Sequence, residues 1–265
     1  MITPILMLGA GRMGGAILEG WRRAAAFAPA DVMIADPHPS EAALAAETAG
    51  ARLNPPEADL AQARTVLFCV KPQVWAEVAA QYAPWLATDA VIVSIAAGVK
   101  SADLAREFGK RPVARVMPTT AAAINQGTAS LYADEPAALA RAHALFEPLG
   151  TVVDLTDEAQ MHAATAVSGS GPAYLYAFVE ALEAAGAAAG LPPAEAARLA
   201  RSTIIGAAVL LARPGSDPTD LRRQVTSPGG TTEAALNVLL GAQGLPPLMR
   251  EAVTAAVRRS KELGA

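Results

Sequence analysis

Cysteine is nearly absent. Cys69 stands alone in 265 residues, so there is no intrachain disulfide framework. Aromatic residues make up only 5%, which leaves Ala, Val and Leu to do most of the packing. Positive charge is not in excess: 21 Lys and Arg face 25 Asp and Glu, a net charge of −4 with a pI near 5.5. That removes the basic footprint of a nucleic-acid binder. No apolar run reaches the length of a membrane span without a charge or a Pro/Gly break, so no membrane partner is expected. No basic region followed by an apolar core and a cleavage site opens the chain. His38 has no Cys or second His near it, so no metal site is expected. A soluble cytoplasmic protein is the simplest expectation. With 52% hydrophobic and 17% charged residues, the chain can build one large or two modest domains.

The first half alternates. Residues 4–8 form a short apolar run, followed directly by Gly9-Ala10-Gly11-Arg12-Met13-Gly14 and a helical pattern through Ile17, Leu18 and Trp21. In this strand, glycine turn and helix, Gly9 permits the tight turn, Gly11 lets backbone approach a pyrophosphate, and Gly14 lets helix pack on strand. Arg12 and Met13 open the helix whose free N–H groups face the phosphates. A second buried run, 32–35, ends at Asp36, roughly twenty residues beyond the last glycine, where an acid meets the ribose 2′-OH of NAD and repels a 2′-phosphate. The stretch Asp36-Pro37-His38-Pro39-Ser40 also reads as a turn and helix cap. A third strand spans 65–70, with Cys69 a small core residue. Val70, Lys71 and Pro72 then leave at the carboxyl end of a parallel strand, the ligand-binding edge of open α/β sheets. Asn54, before Pro55-Pro56, either faces that edge or forms a turn. The strand at 91–95 runs into Ala96-Ala97-Gly98, small enough for a flat ring to lie against the backbone. A strand at 113–117 follows, with helical patterns at 74–86 and 101–108. Short strands at 128–132 and 151–154 flank a helix at 136–149 and extend the sheet at one edge. Repeated strand–helix alternation predicts an α/β architecture, a Rossmann-type doubly wound and mostly parallel sheet, over residues 1–155.

After Asp154 no strand signal remains, and residues 156–265 are expected to be all α. A helical pattern at 158–167 is interrupted by Ser168-Gly169-Ser170-Gly171-Pro172, with Pro172 opening the next helix. Ser170 and Tyr174 are candidates for a ligand pocket, or for capping and core packing. Helices rich in small side chains bury little area each, so a homodimer through the helical domain is expected to supply the missing burial. Later comes Val225-Thr226-Ser227-Pro228-Gly229-Gly230-Thr231-Thr232. Ser227-Pro228 stops one helix, Gly229-Gly230 turns the chain, and Thr231 or Thr232 is expected to cap the next helix at 233–240. The N–H groups of Gly229, Gly230 and Thr231 would form a small anion site suited to a carboxylate.

Together these segments resemble the pyrroline-5-carboxylate reductases, across nearly the whole chain. The resemblance rests on Gly9-x-Gly11-x-x-Gly14, Val70-Lys71-Pro72, Ser94-Ile95-Ala96-Ala97-Gly98, Ser168-Gly169-Ser170-Gly171-Pro172-Ala173-Tyr174 and Ser227-Pro228-Gly229-Gly230-Thr231-Thr232. It implies NADPH or NADH as cofactor and a small cyclic imino acid as substrate. It also implies Thr232 beside the imine, Asn54 at the adenine-side ribose, and dimers that assemble further into rings. One segment departs from the family pattern Met-Pro-Asn-Thr-Pro. Thr119 stands for the amide and Ala121 for the second proline in Met117-Pro118-Thr119-Thr120-Ala121, a loop that the resemblance puts near the nicotinamide. Asp36 departs too, since many relatives carry a small hydroxyl residue there. Other readings are a reductase of a related cyclic imino acid, a non-enzymatic NAD(P)H sensor and a β-hydroxyacid dehydrogenase. The last needs a lysine after a Gly-Ser-Gly-like turn, and no lysine occurs between Lys110 and Lys261.

Overall fold

The computed structural model describes residues 2–263. Strand β1 (Ile5–Leu8) leads through a turn to α1 (Arg12–Ala24). Then follow β2 (Val32–Ala35), α2 (Glu41–Thr48), a two-residue β3 (Arg52–Leu53), α3 (Glu57–Leu60), β4 (Thr65–Phe68) and α4 (Trp75–Tyr82). Next come β5 (Val91–Ser94), α5 (Ser101–Glu107), β6 (Val113–Pro118), β7 (Gly127–Ala133), α6 (Pro136–Phe146) and β8 (Gly150–Asp154). The rest is helical: α7 (Gln160–Ala164), a π-helical turn at Thr165–Gly169, α8 (Gly171–Ala188), α9 (Pro193–Leu211), α10 (Pro218–Gln224), α11 (Thr231–Leu239) and α12 (Leu245–Leu263). The strands form one sheet in the order β3-β2-β1-β4-β5-β6-β7-β8. All neighbours are parallel except β6 and β7. The expected α/β class, a mostly parallel doubly wound sheet followed by helices, is the observed one.

The sheet buries both faces because successive side chains alternate. Ile5 and Met7 join a core with Ile17, Leu18 and Trp21 of α1 and Leu145 and Phe146 of α6. Leu6 and Leu8 point the other way, into a core with Leu60, Ala79, Leu104 and Phe108. Trp21 is fixed by donating its Nε1–H to the Leu145 carbonyl, 2.8 Å away. Cys69 packs against the first core, and desolvation pushes its thiol pKa up.

Three polar devices tie the sheet to its surroundings. Arg111 is buried and donates to the carbonyls of Ala83, Leu86, Ala87 and Phe108, gathering the ends of two helical segments. Arg115, buried in β6, pairs with Glu158 at 2.9 Å, and the same carboxylate oxygen accepts from the Ser101 N–H at 2.6 Å. His143 of α6 lies 2.8 Å from both Glu147 and Asp154, joining α6 to β8. Burial opposes its charge, but the two carboxylates prevail and its pKa is raised. The stability it adds is therefore complete below its unfolded pKa of about 6.5 and is lost as pH rises through the higher folded value. The pair is partly exposed, so its worth is at most about 1 kcal/mol. We expect the gap in melting temperature between the native chain and His143→Asn to narrow from pH 6 to pH 8, and a constant gap would show that His143 is uncharged throughout.

The chain divides into two compact units. One runs to Gly169 and takes in the end of the chain from Ala256; the other is Ser170–Ala255. The first extends past Asp154 because Met161 and Ala166 are buried and because His162 Nδ1 meets the Ser260 hydroxyl at 2.9 Å. The second unit buries little. Helices α8, α10 and α11 have no buried residue, and Tyr176, Ile205, Val209 and Val238 are each at least 60% exposed. Among the described residues no helix is long and apolar enough to cross a membrane.

Candidate active site

Strand register builds the first half of the site. Leu8 lies opposite Ala35 and Phe68, and Phe68 opposite Ser94. The segments after these residues therefore all leave along one carboxyl edge: Gly9 to Gly14, Asp36, Val70-Lys71-Pro72, and Ala96-Ala97-Gly98. The strand order reverses direction between β1 and β4, which makes this edge the topological switch point where open α/β sheets bind ligands. Gly9 has φ +90°, and a Cβ there would lie 2.8 Å from the Cys69 carbonyl oxygen. A Cβ on Gly14 would lie 2.5 Å from the Gly9 carbonyl oxygen. Both glycines are thus required by the protein's own packing. Gly11 is different: its φ is −66°, and a Cβ there would meet nothing within 4 Å. Nothing in the chain requires glycine at that position, and the open space above it fits a dinucleotide pyrophosphate. Gly11 is the N-cap of α1, and neither a side-chain cap nor an acidic residue occupies the first turn. The amides of Arg12, Met13 and Gly14 are left to an anion.

At the next strand end, the Asp36 carboxylate accepts from the Ala10 N–H at 2.6 Å and from the His38 N–H at 2.7 Å. Asn54, at φ +45°, accepts from the Asp36 N–H at 2.9 Å and donates to the Asp36 carbonyl at 3.0 Å. It braces the end of β2 as a turn residue and stands beside the same edge. Lys71 is exposed there, and Val70 and Pro72 are half-buried. Ala96 and Gly98 are buried and Ala97 half-buried, with the Ser94 hydroxyl accepting from the Ala96 N–H. Thr119 is buried, and its hydroxyl accepts from the Thr128 N–H at 3.0 Å. That hydroxyl is engaged within the β6–β7 ladder, and Ala121 sits in the following 3-10 turn (Thr120–Ile124).

In the second unit, two expectations need correction. Neither Thr231 nor Thr232 caps α11: the N-cap is Gly230, without a side-chain hydrogen bond, and the helix begins at Thr231. Two of the three expected carboxylate donors are also already engaged. The Gly229 N–H donates to Glu233 Oε2 at 2.8 Å, and the Gly230 N–H to the Ser227 carbonyl at 3.0 Å. Glu233 reaches back from the third helical position to the amide of the residue before the N-cap. With glycine three residues before Glu233, no Ser/Thr-x-x-Glu signature marks this contact in the sequence. What stays available at this helix start is the amides of Thr231, Thr232 and Glu233, as at any α-helix N-terminus, with the hydroxyls of Ser227, Thr231 and Thr232 around them. Ser170 is the N-cap of α8 without a side-chain cap bond, Pro172 lies in the first turn, and Tyr174 follows half-buried. Among the described residues no group of three or more His, Cys, Asp or Glu is placed to hold a metal.

A model of NADP oxidoreductases, coenzyme F420-dependent, matches residues 4–98, and one of pyrroline-5-carboxylate reductase dimerisation matches residues 158–263. With the open glycine turn at the switch point, the first match defines the class: a dinucleotide-dependent oxidoreductase. The chain is 40% identical to a pyrroline-5-carboxylate reductase of Pseudomonas aeruginosa, over 99% of this chain and 98% of that protein. The structure of a pyrroline-5-carboxylate reductase from Coxiella burnetii superposes with a TM-score of 0.90 at 30% identity, over 100% of both chains. A Plasmodium falciparum pyrroline carboxylate reductase with NADP bound gives 0.84 at 25% identity, over 99% of this chain and 98% of that one. The chain belongs to the pyrroline-5-carboxylate reductase family.

Proposed function

We propose that this chain reduces the C=N bond of L-1-pyrroline-5-carboxylate with NAD(P)H to give L-proline, the last step of proline biosynthesis, in the cytoplasm. The observation that carries the reading is identity of 40% through the full length of a pyrroline-5-carboxylate reductase. The open approach to Gly11, where a Cβ would meet no atom, supports its dinucleotide-binding half. In this reading residues 1–155 serve the dinucleotide, and residues 156–265 serve the substrate and a homodimer that builds larger rings. The poorly buried helices of the second unit support the dimer.

When bound, the dinucleotide supplies the hydride. Gly9, Gly11, Arg12, Met13 and Gly14 cradle its pyrophosphate. Val70, Lys71, Pro72, Ala96, Ala97 and Gly98 flank the nicotinamide half, and Asp36 and Asn54 stand at the adenosine ribose. Ser227, Gly229, Gly230 and Thr231 form the turn that clasps the substrate carboxylate, with the amides of Thr231 and Thr232 as its donors. Ser170 and Tyr174 line the ring. The Thr232 hydroxyl hydrogen-bonds the ring nitrogen. A threonine hydroxyl is a poor acid near neutral pH, so Thr232 orients the imine and does not protonate it. Thr232→Ala should lower kcat/KM by about ten- to a hundredfold, the equivalent of about 1–3 kcal/mol for one lost hydrogen bond. Unchanged efficiency would remove Thr232 from the site.

The direct test mixes purified protein with the cyclic imine and each reduced dinucleotide, following nicotinamide absorbance and proline formation. Binding without turnover would leave a sensor; in parallel runs, turnover only of a larger imine ring would leave a related imine reductase, and oxidation of a β-hydroxy acid by the oxidised dinucleotide would leave a dehydrogenase.

A further inference from the structure

We infer that Asp36 makes this chain prefer NADH to NADPH, by accepting hydrogen bonds from the adenosine ribose hydroxyls and repelling a 2′-phosphate. The inference deepens the reductase reading and rests on it for the presence of a dinucleotide site.

The carboxylate is fixed. Asp36 follows the last residue of β2, and one carboxylate oxygen accepts from the Ala10 N–H while the other accepts from the His38 N–H. Swinging the side chain away would strip the buried Ala10 amide of its acceptor, which costs about 1–3 kcal/mol. Each oxygen keeps a second lone pair, enough for the two ribose hydroxyls of an unphosphorylated cofactor.

The carboxylate is also uncompensated. Among the described residues no Lys, Arg or His forms an ion pair with Asp36. Beside it lies a recess of about 100 Å³ lined by Asn54, Glu57, Gln81, Tyr82 and Trp85, which adds a second carboxylate. Burial first, and then the charges of Asp36 and Glu57, raise the Tyr82 pKa, so both carboxylates act on this space. Asn54 spends its amide on the Asp36 backbone. The nearby cationic side chains in sequence are Arg12, which belongs to the pyrophosphate end of the turn, and His38, which is exposed. A 2′-phosphate would bring close to two negative charges against a carboxylate that cannot retreat. The matched family model is one of NADP oxidoreductases and the Plasmodium neighbour holds NADP; the preference inferred from Asp36 runs counter to both.

The test titrates the full chain with NADH and with NADPH in the absence of imine, reading heat of binding. NADH should bind at least about tenfold more tightly at low ionic strength, a difference that shrinks with salt. Asp36→Ser should shrink the ratio about tenfold, mainly by strengthening NADPH. Asp36→Asn removes the charge and keeps its one acceptor oxygen for the buried Ala10 amide, giving up only the bond to the exposed His38 N–H, so it should shift the ratio the same way with only a small loss of melting temperature; it decides the matter if the serine variant misfolds. NADPH binding as tightly as NADH in the native chain, or a ratio unmoved by either variant, overturns the inference. Failure to bind either dinucleotide overturns the site with it. The expected ratio without imine turnover would keep the preference and overturn the reductase reading alone.

Discussion

Gly14→Ala should lower the melting temperature by several degrees and abolish dinucleotide binding together. The added methyl would sit 2.5 Å from the Gly9 carbonyl oxygen and 3.4 Å from the Met7 sulfur. The first of these is backbone of a turn that Gly9 itself holds against Cys69, so it cannot yield. Overpacking of this kind costs about 1–3 kcal/mol, and each kcal/mol shifts a domain of this size by about 2–4 °C. The comparison that isolates the cause is Gly11→Ala, three residues away. Its methyl enters open space, so melting should stay within about a degree while dinucleotide affinity falls at least tenfold. Equal melting temperatures for the two variants would mean that the turn does not have the geometry described.

Arg115→Met should be strongly destabilising. Its side chain is 5% exposed and that of its partner Glu158 25% exposed, and removal leaves a carboxylate held by Ser101 through its N–H and hydroxyl. Breaking a fully buried pair costs about 3–5 kcal/mol; the partial exposure of Glu158 brings the expectation to about 2–3 kcal/mol in urea unfolding at neutral pH. Arg115→Met combined with Glu158→Gln should recover part of that loss, because no charge is stranded. Burial raises the Glu158 pKa, but the Ser101 amide and Arg115 outweigh it and leave it lowered. The pair's contribution is therefore complete above the unfolded carboxyl pKa and lost as pH falls through the folded one. An Arg115→Met penalty that persisted unchanged into acid would show that the loss is one of packing alone.

The parts of the fold legible in the sequence are those where a local pattern and the tertiary role coincide. The run from Ile5 to Trp21 gave strand, turn and helix because the glycines and the apolar stripe each have one use. The unread elements lack such a pattern. Helix α2 (Glu41–Thr48) is mostly alanine and glutamate and buries only Ala43, so no stripe marks it; only its start was legible, where Ser40 caps it by accepting from the Ala43 N–H, as the turn-and-cap reading of residues 36–40 expected. Strand β3 has two residues and owes its existence to β2. Arg115 lies within an apolar strand, and its partner is 43 residues away; no spacing rule connects them. The Tyr82–Trp85 side of the recess beside Asp36 comes from the end of α4, which meets the β2 edge only through the strand order. At the Ser227–Thr232 turn the residue types were legible, but the donors were not, since Glu233 and the Ser227 carbonyl take two amides that a bare turn would leave free.

Cys69 has a practical consequence. Its thiol is reluctant to ionise, and the thiolate is the reactive form. Alkylating reagents should therefore react only slowly with half-buried Cys69. A cysteine engineered onto α2 of the first unit, at exposed Glu47 for instance, would then be the fast-reacting position, and a spin label or fluorophore could be attached there with little background.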